Sequence, residues 1–143
     1  MKSINYLFTF IGIFTMFIAG CSNIVVNKEE YIVVQKRFGD DHTYDDFRKI
    51  TDREQVQKVK EIIKDINWVK AQVSMIRPAD YRFAFQDENS IVEIKSALYE
   101  LWISPDKDKV EVVIDAESKY IQLDKNTSAE LVKILTDEKI SHL

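Results

Sequence analysis

The chain has 143 residues, of which 45 % are hydrophobic, and this is enough for one domain with a sizeable core. Its formal net charge of −4 argues against a nucleic-acid partner and against binding to anionic lipid by charge alone. A single cysteine excludes an intramolecular disulfide, and three glycines and two prolines argue against a long flexible linker.

Residues 1–20 have the pattern of a bacterial lipoprotein signal peptide. Lys2 supplies a short positive region, and residues 4–19 form an apolar stretch that a translocon can accept. The stretch closes with four residues in the order of a lipobox, Ile18, Ala19, Gly20 and Cys21. An ordinary signal peptidase needs a small side chain where Ile18 stands, whereas a lipobox takes an aliphatic one there. The segment therefore predicts cleavage before Cys21.

An uncleaved membrane helix is the alternative for this segment. A helix over residues 4–19 would span roughly 24 Å, which is short of the roughly 30 Å hydrocarbon core of a bilayer. We therefore expect an S-diacylglycerol group on Cys21, because its two acyl chains give the stable anchoring that one chain does not. The amino group of Cys21 is a further site for acylation. Residues 21–28 would form a lipidated tether with a reach of roughly 15 Å. Residues 29–143 would form one domain at the outer face of the cell membrane.

The first half of this domain combines strand and helix signals. β-Branched and aromatic residues predict a strand over 30–37, and residues 44–50 predict a weaker strand or an extended loop. Thr51-Asp-Arg-Glu has the pattern of a helix capping box. Apolar residues follow at spacings of three and four, at Val56, Val59, Ile62, Ile63 and Ile66. This periodicity predicts the core-facing side of a helix over about 52–66.

The second half predicts sheet and a closing helix. Residues 68–75 are expected to be extended, and an alternating strand with one aromatic face begins at Tyr81. Further strands are predicted over three ranges, 91–103, 110–114 and 119–123, and a capping box at Thr127 begins the last helix. The late connections are too short for parallel crossovers. We therefore expect an α+β fold, with an antiparallel sheet of about five strands, a helix after the first strand region and a C-terminal helix.

The sequence carries no recognisable pattern for catalysis or for metal binding. Neither His42 nor His142 has a ligand partner at helical spacing, and the acidic turns lack the ligand spacing of a calcium loop. A nucleophile elbow and a phosphate-binding glycine loop are also lacking. We expect no metal, no cofactor and no catalysis, although paired carboxylates that meet only in space leave an enzyme as the alternative.

Three residues are candidates for a partner surface: Arg77, Tyr81 and Trp102. Arg77 begins a polar and aromatic segment that leads to Tyr81, and Trp102 belongs to a strand with apolar side chains on both faces, one of which could stay open. The alternative is that Trp102 packs in the core, under a helix or the N-terminal segment. An interaction module predicts an exposed apolar patch here, whereas a small-ligand binder or an enzyme predicts a concave cavity with convergent polar groups.

Four segments resemble a known family: Thr51-Asp-Arg-Glu-Gln-Val continuing to Trp68, Ser74-Met-Ile-Arg-Pro-Ala-Asp-Tyr, Leu101-Trp-Ile-Ser-Pro and Tyr120-Ile-Gln-Leu-Asp. Together they are similar to the YhfM-like domain of small lipoproteins of Bacillus and relatives, over about residues 28–136. The resemblance implies a Gram-positive lipoprotein on the outer face of the plasma membrane. It brings no activity, and the only functional residue it carries over is the lipidated Cys21. We therefore expect a non-catalytic binding module whose partner is an envelope protein, a wall component or a small ligand.

Overall fold

The computed structural model describes residues 29–88 and 96–143. The predicted leader and tether lie outside these residues, as does the first part of the strand predicted over 91–103. The described chain contains seven strands and two α-helices. In chain order these are β1 (Glu30–Arg37), β2 (Tyr44–Ile50), α1 (Arg53–Asp65), β3 (Val69–Lys70), β4 (Tyr81–Asp87), β5 (Tyr99–Ile103), β6 (Val110–Ile114), β7 (Lys119–Gln122) and α2 (Lys125–Thr136).

All seven strands form one antiparallel sheet in the order β2-β1-β4-β5-β6-β7-β3, which confirms the predicted α+β class. The expected count of about five strands is too low, and β2 and β3 account for the difference. The sequence left β2 open between a strand and a loop. Strand β3 covers only two residues of the predicted extended segment, too few to show an alternating pattern, and it is defined by its pairing with β7.

One face of the sheet packs against both helices to form the main core. Helix α1 buries Val56, Val59 and Ile62 against it, as the periodicity predicted. Helix α2 and the sheet contribute further buried side chains, among them Ile32, Val34, Phe83, Leu101, Val112, Leu131 and Leu135. Burying an aliphatic or aromatic side chain of this size contributes about 1.5–3 kcal/mol, so this layer is the main source of stability. Within the described residues no helix is both long and apolar enough to cross a membrane.

Both predicted helix caps are wrong, by one residue in α1 and by three residues in α2. The cap of α1 is Asp52 rather than Thr51, and its side chain accepts a hydrogen bond from the amide of Gln55 at 2.8 Å. The cap of α2 is Asp124, which accepts from the amide of Thr127 at 3.1 Å. Thr127 itself lies in the first turn, where its hydroxyl donates to Asp124 at 2.6 Å. Aspartate is as good a cap as threonine, so sequence pattern alone did not separate the two.

The second face of the sheet is partly covered by the segment that connects β3 to β4. Trp102 is 6 % exposed and packs with Ala79 and Val113 in a small second core. Four partly buried side chains flank it, Tyr44, Val73, Met75 and Tyr120. Trp102 is therefore a core residue, as the alternative interpretation held. Among the described residues the cover is this connecting segment and not a helix, because Val73, Met75 and Ala79 pack in the same cluster as Trp102.

Candidate binding site

A cleft of about 330 Å³ opens at one end of the sheet. The end of β1, the start of β4, the end of β5 and the loop between β5 and β6 meet there, because these neighbouring strands are antiparallel. Charged side chains line much of it, namely Lys36, Arg37, Arg77, Asp80 and Lys107. Tyr81, Ile103, Pro105 and Leu143 add apolar surface. The cleft is therefore the concave feature in which the Arg77 segment meets the sheet.

Asp80 ties three parts of the chain together at the cleft. Its carboxylate accepts two hydrogen bonds from the guanidinium of Arg77, at 2.5 and 2.8 Å, and a third from the amide of Ile103 at 2.8 Å. Arg77 also donates to the carbonyl of Ile103 at 2.9 Å. The paired charges are well fixed, since a bidentate arginine–carboxylate contact constrains both side chains. The hydrogen bond to Asp80 raises the pKa of Arg77, against the opposing effect of burial.

Arg37 approaches the same carboxylate from the end of β1. One guanidinium nitrogen lies 3.4 Å from Asp80 Oδ1, and another donates to the carbonyl of Gly39 at 3.0 Å. Gly39 has a φ of +69°, a left-handed conformation that glycine adopts without steric cost. The Nε–H of Arg37 is buried and has no hydrogen-bond partner among the residues the structure describes. Arg37 is therefore only partly satisfied by the protein itself.

Lys36 and Tyr81 form the wall of the cleft next to β2. The ammonium of Lys36 lies 5.4 Å from the ring centre of Phe47 and 5.7 Å from that of Tyr81. Tyr81 is 2 % exposed, and burial, followed by the charges of Glu138 and Asp80, raises the pKa of its hydroxyl to about 12. The Tyr81 hydroxyl is therefore protonated at neutral pH. The Lys36 ammonium thus lies at the rim of the cleft, where cation–π contacts with the Phe47 and Tyr81 rings stabilise its charge.

The charge of the cleft is opposite to that of the chain. Four of the lining side chains are cationic, and only Asp80 is anionic, whereas the whole chain has a net charge of −4. The Asp80 carboxylate is already shared by Arg37 and Arg77, and the α-carboxylate of Leu143 is the other negative group of a lining residue. The cleft is therefore a concentrated positive site on an acidic protein.

The three sequence candidates have different positions relative to this cleft. Arg77 and Tyr81 line it, and the Arg77 side chain is 44 % exposed. Trp102 is buried, so the expected exposed apolar patch at this residue is absent. Its indole N–H instead donates to the main-chain carbonyl of Arg77 at 2.8 Å. Trp102 supports the cleft from the second core and does not contribute contact surface.

Sequence reasoning did not select Asp80, Arg37, Lys36 and Lys107 as site residues. The spacing of three between Arg77 and Asp80, at a chain-breaking proline, was a usable signal for their ion pair. No comparable signal existed for Arg37, which is 43 positions away from Asp80 in sequence. Such pairs depend on which strands become neighbours, and the sequence alone did not provide the strand order.

A second depression, of about 390 Å³, lies between α1, β7 and the start of α2. Its charged lining is mostly acidic, comprising Glu61, Asp65, Asp124, Glu130 and Lys58. Lys58 pairs with Glu130 at 3.2 Å. Over residues 29–88 and 96–143, no three histidine, cysteine or acidic side chains are grouped closely enough to hold a metal ion.

The comparisons with known proteins identify the family. No curated protein and no solved structure shows significant similarity to the chain. The family described as YhfM protein matches residues 25–141, a range that includes every strand and both α-helices described above. It also includes most of the cleft, from Lys36 to Lys107. The chain belongs to the YhfM protein family.

Proposed function

We propose that this chain is a lipoprotein held at the outer face of the cell membrane by an acylated Cys21, and that its domain is a non-catalytic binding module. The lipobox from Ile18 to Cys21 supports the location. The single observation that carries the binding role is the positive cleft around Arg77 and Asp80. The partner is an envelope protein, a wall component or a small ligand that presents a group to this cleft.

The chemistry of the cleft favours binding over catalysis. Both oxygens of Asp80 accept hydrogen bonds from Arg77, so this carboxylate is engaged in structure and is a weak candidate for a general base. Tyr81 keeps its proton because its pKa is about 12. None of the described residues that line the cleft is a histidine or a cysteine. The side chains present can attract and orient a ligand, and they offer no activated nucleophile.

The position of the cleft suits a protein that is tethered at its N-terminal end. Strand β1 begins at Glu30, directly after the proposed tether, and ends at Arg37 in the cleft. Its length is about 23 Å at the usual rise of a strand. A ligand would therefore approach the domain from the end opposite to the tether.

A small-ligand binder or an enzyme of the envelope is the second candidate. The volume of the cleft favours it, because about 330 Å³ lies at the lower end of the range of about 300–1,000 Å³ that ligand pockets occupy. Against it, Tyr81 is the only aromatic residue that lines the cleft within the described chain. A small ligand would therefore be held by charge more than by stacking.

The proposed anchor is tested by the substitution Cys21→Ser. We expect the variant to stay as an uncut precursor and to lose incorporation of labelled fatty acid, because the thiol is the acylated atom. Ser22→Ala is the matched control and should be processed normally. An intact leader peptide or an unmodified Cys21 in mass spectra of native material would refute the anchor.

The binding role is tested by crosslinking and affinity capture from intact cells. The double charge reversal Lys36→Glu with Lys107→Glu should abolish recovery of the partner, since both lysines line the cleft. The control is Lys64→Glu with Lys70→Glu, which makes the same charge change at two exposed lysines outside the cleft. Equal recovery with both double variants would contradict a binding role for the cleft.

A further inference from the structure

The lining of the cleft carries more positive charge than the protein neutralises. Arg37, Arg77, Lys36 and Lys107 line the cleft together with one carboxylate side chain, Asp80, and with Leu143, whose α-carboxylate adds a second negative charge. The ring contacts of Lys36 leave its full charge in place, because a cation–π contact involves no opposite charge. Two more carboxylates have an electrostatic effect on residues that line the cleft: Glu138 on Tyr81, and Glu111 on Arg77. Positive charge still predominates among the side chains that line the cavity.

The hydrogen bonds of Arg37, which lines the cavity, decide which end of its side chain a ligand can reach. The Nε–H of Arg37 is buried and without a partner in the described part of the chain, while the other end of the guanidinium reaches Gly39 and Asp80. Nearly all buried polar groups in proteins find a partner. This Nε–H has almost no accessible surface, so it is the other end of the guanidinium, bound to Gly39 and Asp80, that is available to the cleft.

From this excess of cationic side chains around one cavity we infer that the cleft binds a phosphate group carried by an extracytoplasmic ligand. The inference rests on the proposed function, because it names the ligand class for the same site. A phosphate fits better than a carboxylate, since its charge of about −1.5 to −2 and its additional oxygens match several cations at once. Arginine forks and lysine ammonium groups are the side chains that proteins use for this purpose.

The apolar part of the lining accommodates the group to which the phosphate is attached. Ile103, Pro105 and Leu143 face the same cavity as the cations. A cavity of about 330 Å³ is larger than a phosphate ion requires, so there is space for a small organic group beside it. The ligand is thus a phosphate ester, and inorganic phosphate is the minimal probe for its anionic end.

The two tryptophans of the chain provide a reporter and an internal control. The indole N–H of Trp102 donates to the carbonyl of Arg77, whose side chain lines the cleft. The indole N–H of Trp68 donates to the carbonyl of Ile63 at 3.1 Å, next to the end of α1. The experiment follows both indole signals by nitrogen-15 NMR, with the full chain in phosphatidylcholine nanodiscs. Inorganic phosphate is added against sodium chloride at matched ionic strength.

We expect phosphate to shift the Trp102 signal saturably and to leave the Trp68 signal unchanged. The Lys36→Glu, Lys107→Glu variant should bind about tenfold more weakly or worse, because it replaces attraction by repulsion at two points. The Lys64→Glu, Lys70→Glu variant should bind as the wild type does. A Trp102 signal that responds equally to sodium chloride, or that stays in place both with inorganic phosphate and in phosphatidylglycerol nanodiscs, overturns the inference.

A second arm identifies the source of the phosphate group. Nanodiscs with phosphatidylglycerol replace the neutral ones, without added phosphate. A cleft-dependent shift of Trp102 in this arm supports phosphate binding, makes a lipid headgroup the source and shows that the tethered domain turns its cleft towards the membrane. A shift with inorganic phosphate alone supports a soluble or wall-borne ester that approaches from the end opposite to the tether. If neither arm moves Trp102 but capture from cells still depends on Lys36 and Lys107, the phosphate inference fails and the binding module stands. If phosphate binds but capture is independent of the cleft, the proposed function fails.

Discussion

The indole N–H of Trp102 donates to the main-chain carbonyl of Arg77 at 2.8 Å, so a core residue on β5 fixes the backbone beneath an exposed arginine. The guanidinium of Arg77 in turn holds Asp80, and Asp80 accepts from the amide of Ile103 at the end of β5. The segment before β4 is thereby joined to β5 at both its backbone and its side chains. This joint shapes the wall of the cleft.

Trp102→Phe should lower the free energy of unfolding by about 1–3 kcal/mol, because the carbonyl of Arg77 loses its donor in a largely buried site. Trp68→Phe is the matched control, since it removes the same kind of indole bond, to Ile63, away from the cleft. Both variants should be destabilised in urea unfolding. Only Trp102→Phe should also weaken phosphate binding, and equal affinity in the two variants would contradict the supporting role of Trp102.

Asp80→Asn should lower the free energy of unfolding by about 2 kcal/mol. Hydrogen bonds to a charged group contribute about 1.5–3 kcal/mol each, and Asn retains part of them. The variant leaves two guanidinium groups without their shared carboxylate. Asp106→Asn, at an exposed position in the loop between β5 and β6, should stay within about 0.5 kcal/mol of the wild type. The urea unfolding midpoints of the two variants at neutral pH measure the difference. Similar midpoints would mean that the hydrogen bonds of Asp80 do not stabilise the fold.

Asp52→Ala should destabilise the protein by about 1 kcal/mol, since the amide of Gln55 loses its cap in the first turn of α1. The sequence pattern favoured Thr51 as the cap, so Thr51→Ala is the informative control and should be nearly neutral. Thermal unfolding followed by circular dichroism separates the two. A larger loss for Thr51→Ala than for Asp52→Ala would restore the capping box that the sequence predicted.

Alkaline pH should destabilise the fold through two tyrosines. Burial raises the pKa of Tyr81 to about 12, and burial together with a hydrogen bond of 2.7 Å to Glu111 raises that of Tyr120 to about 12. An unfolded tyrosine has a pKa of about 10. Because the folded pKa values lie above the unfolded one, the two protonated tyrosines contribute fully to the free energy of unfolding below about pH 10. This stabilisation is lost as the pH rises from about 10 to about 12.

The measurement is the free energy of unfolding as a function of pH, together with the near-ultraviolet absorbance of tyrosinate in the native protein. Tyr120→Phe should reduce the slope of stability with pH over this interval. It should also remove one group from the late titration near pH 12. A slope that is the same in the variant and in the wild type would show that Tyr120 titrates alike in the folded and unfolded chains.

Local features of the fold were predictable from the sequence. Apolar residues from Val56 to Ile66 predicted α1 because a helix brings positions three and four apart to one side. Alternation from Tyr81 onwards predicted β4, and short connections indicated an antiparallel sheet. The lipobox is also read from adjacent residues. Where two good capping residues lay close together, as at Thr51 and Asp52, the pattern selected the wrong one.

The sequence by itself determined the fold class, the amphipathic face of α1 and the predicted signal for lipidation, because these depend on neighbours along the chain. Only the tertiary structure decided the strand order, the burial of Trp102 and the meeting of Arg37, Asp80 and Ile103. Arg37 and Asp80 are 43 positions apart, and Asp80 and Ile103 are 23 apart. Contacts over such distances arise from pairing between strands, which depends on the packing of the whole sheet and leaves no periodic pattern in the sequence.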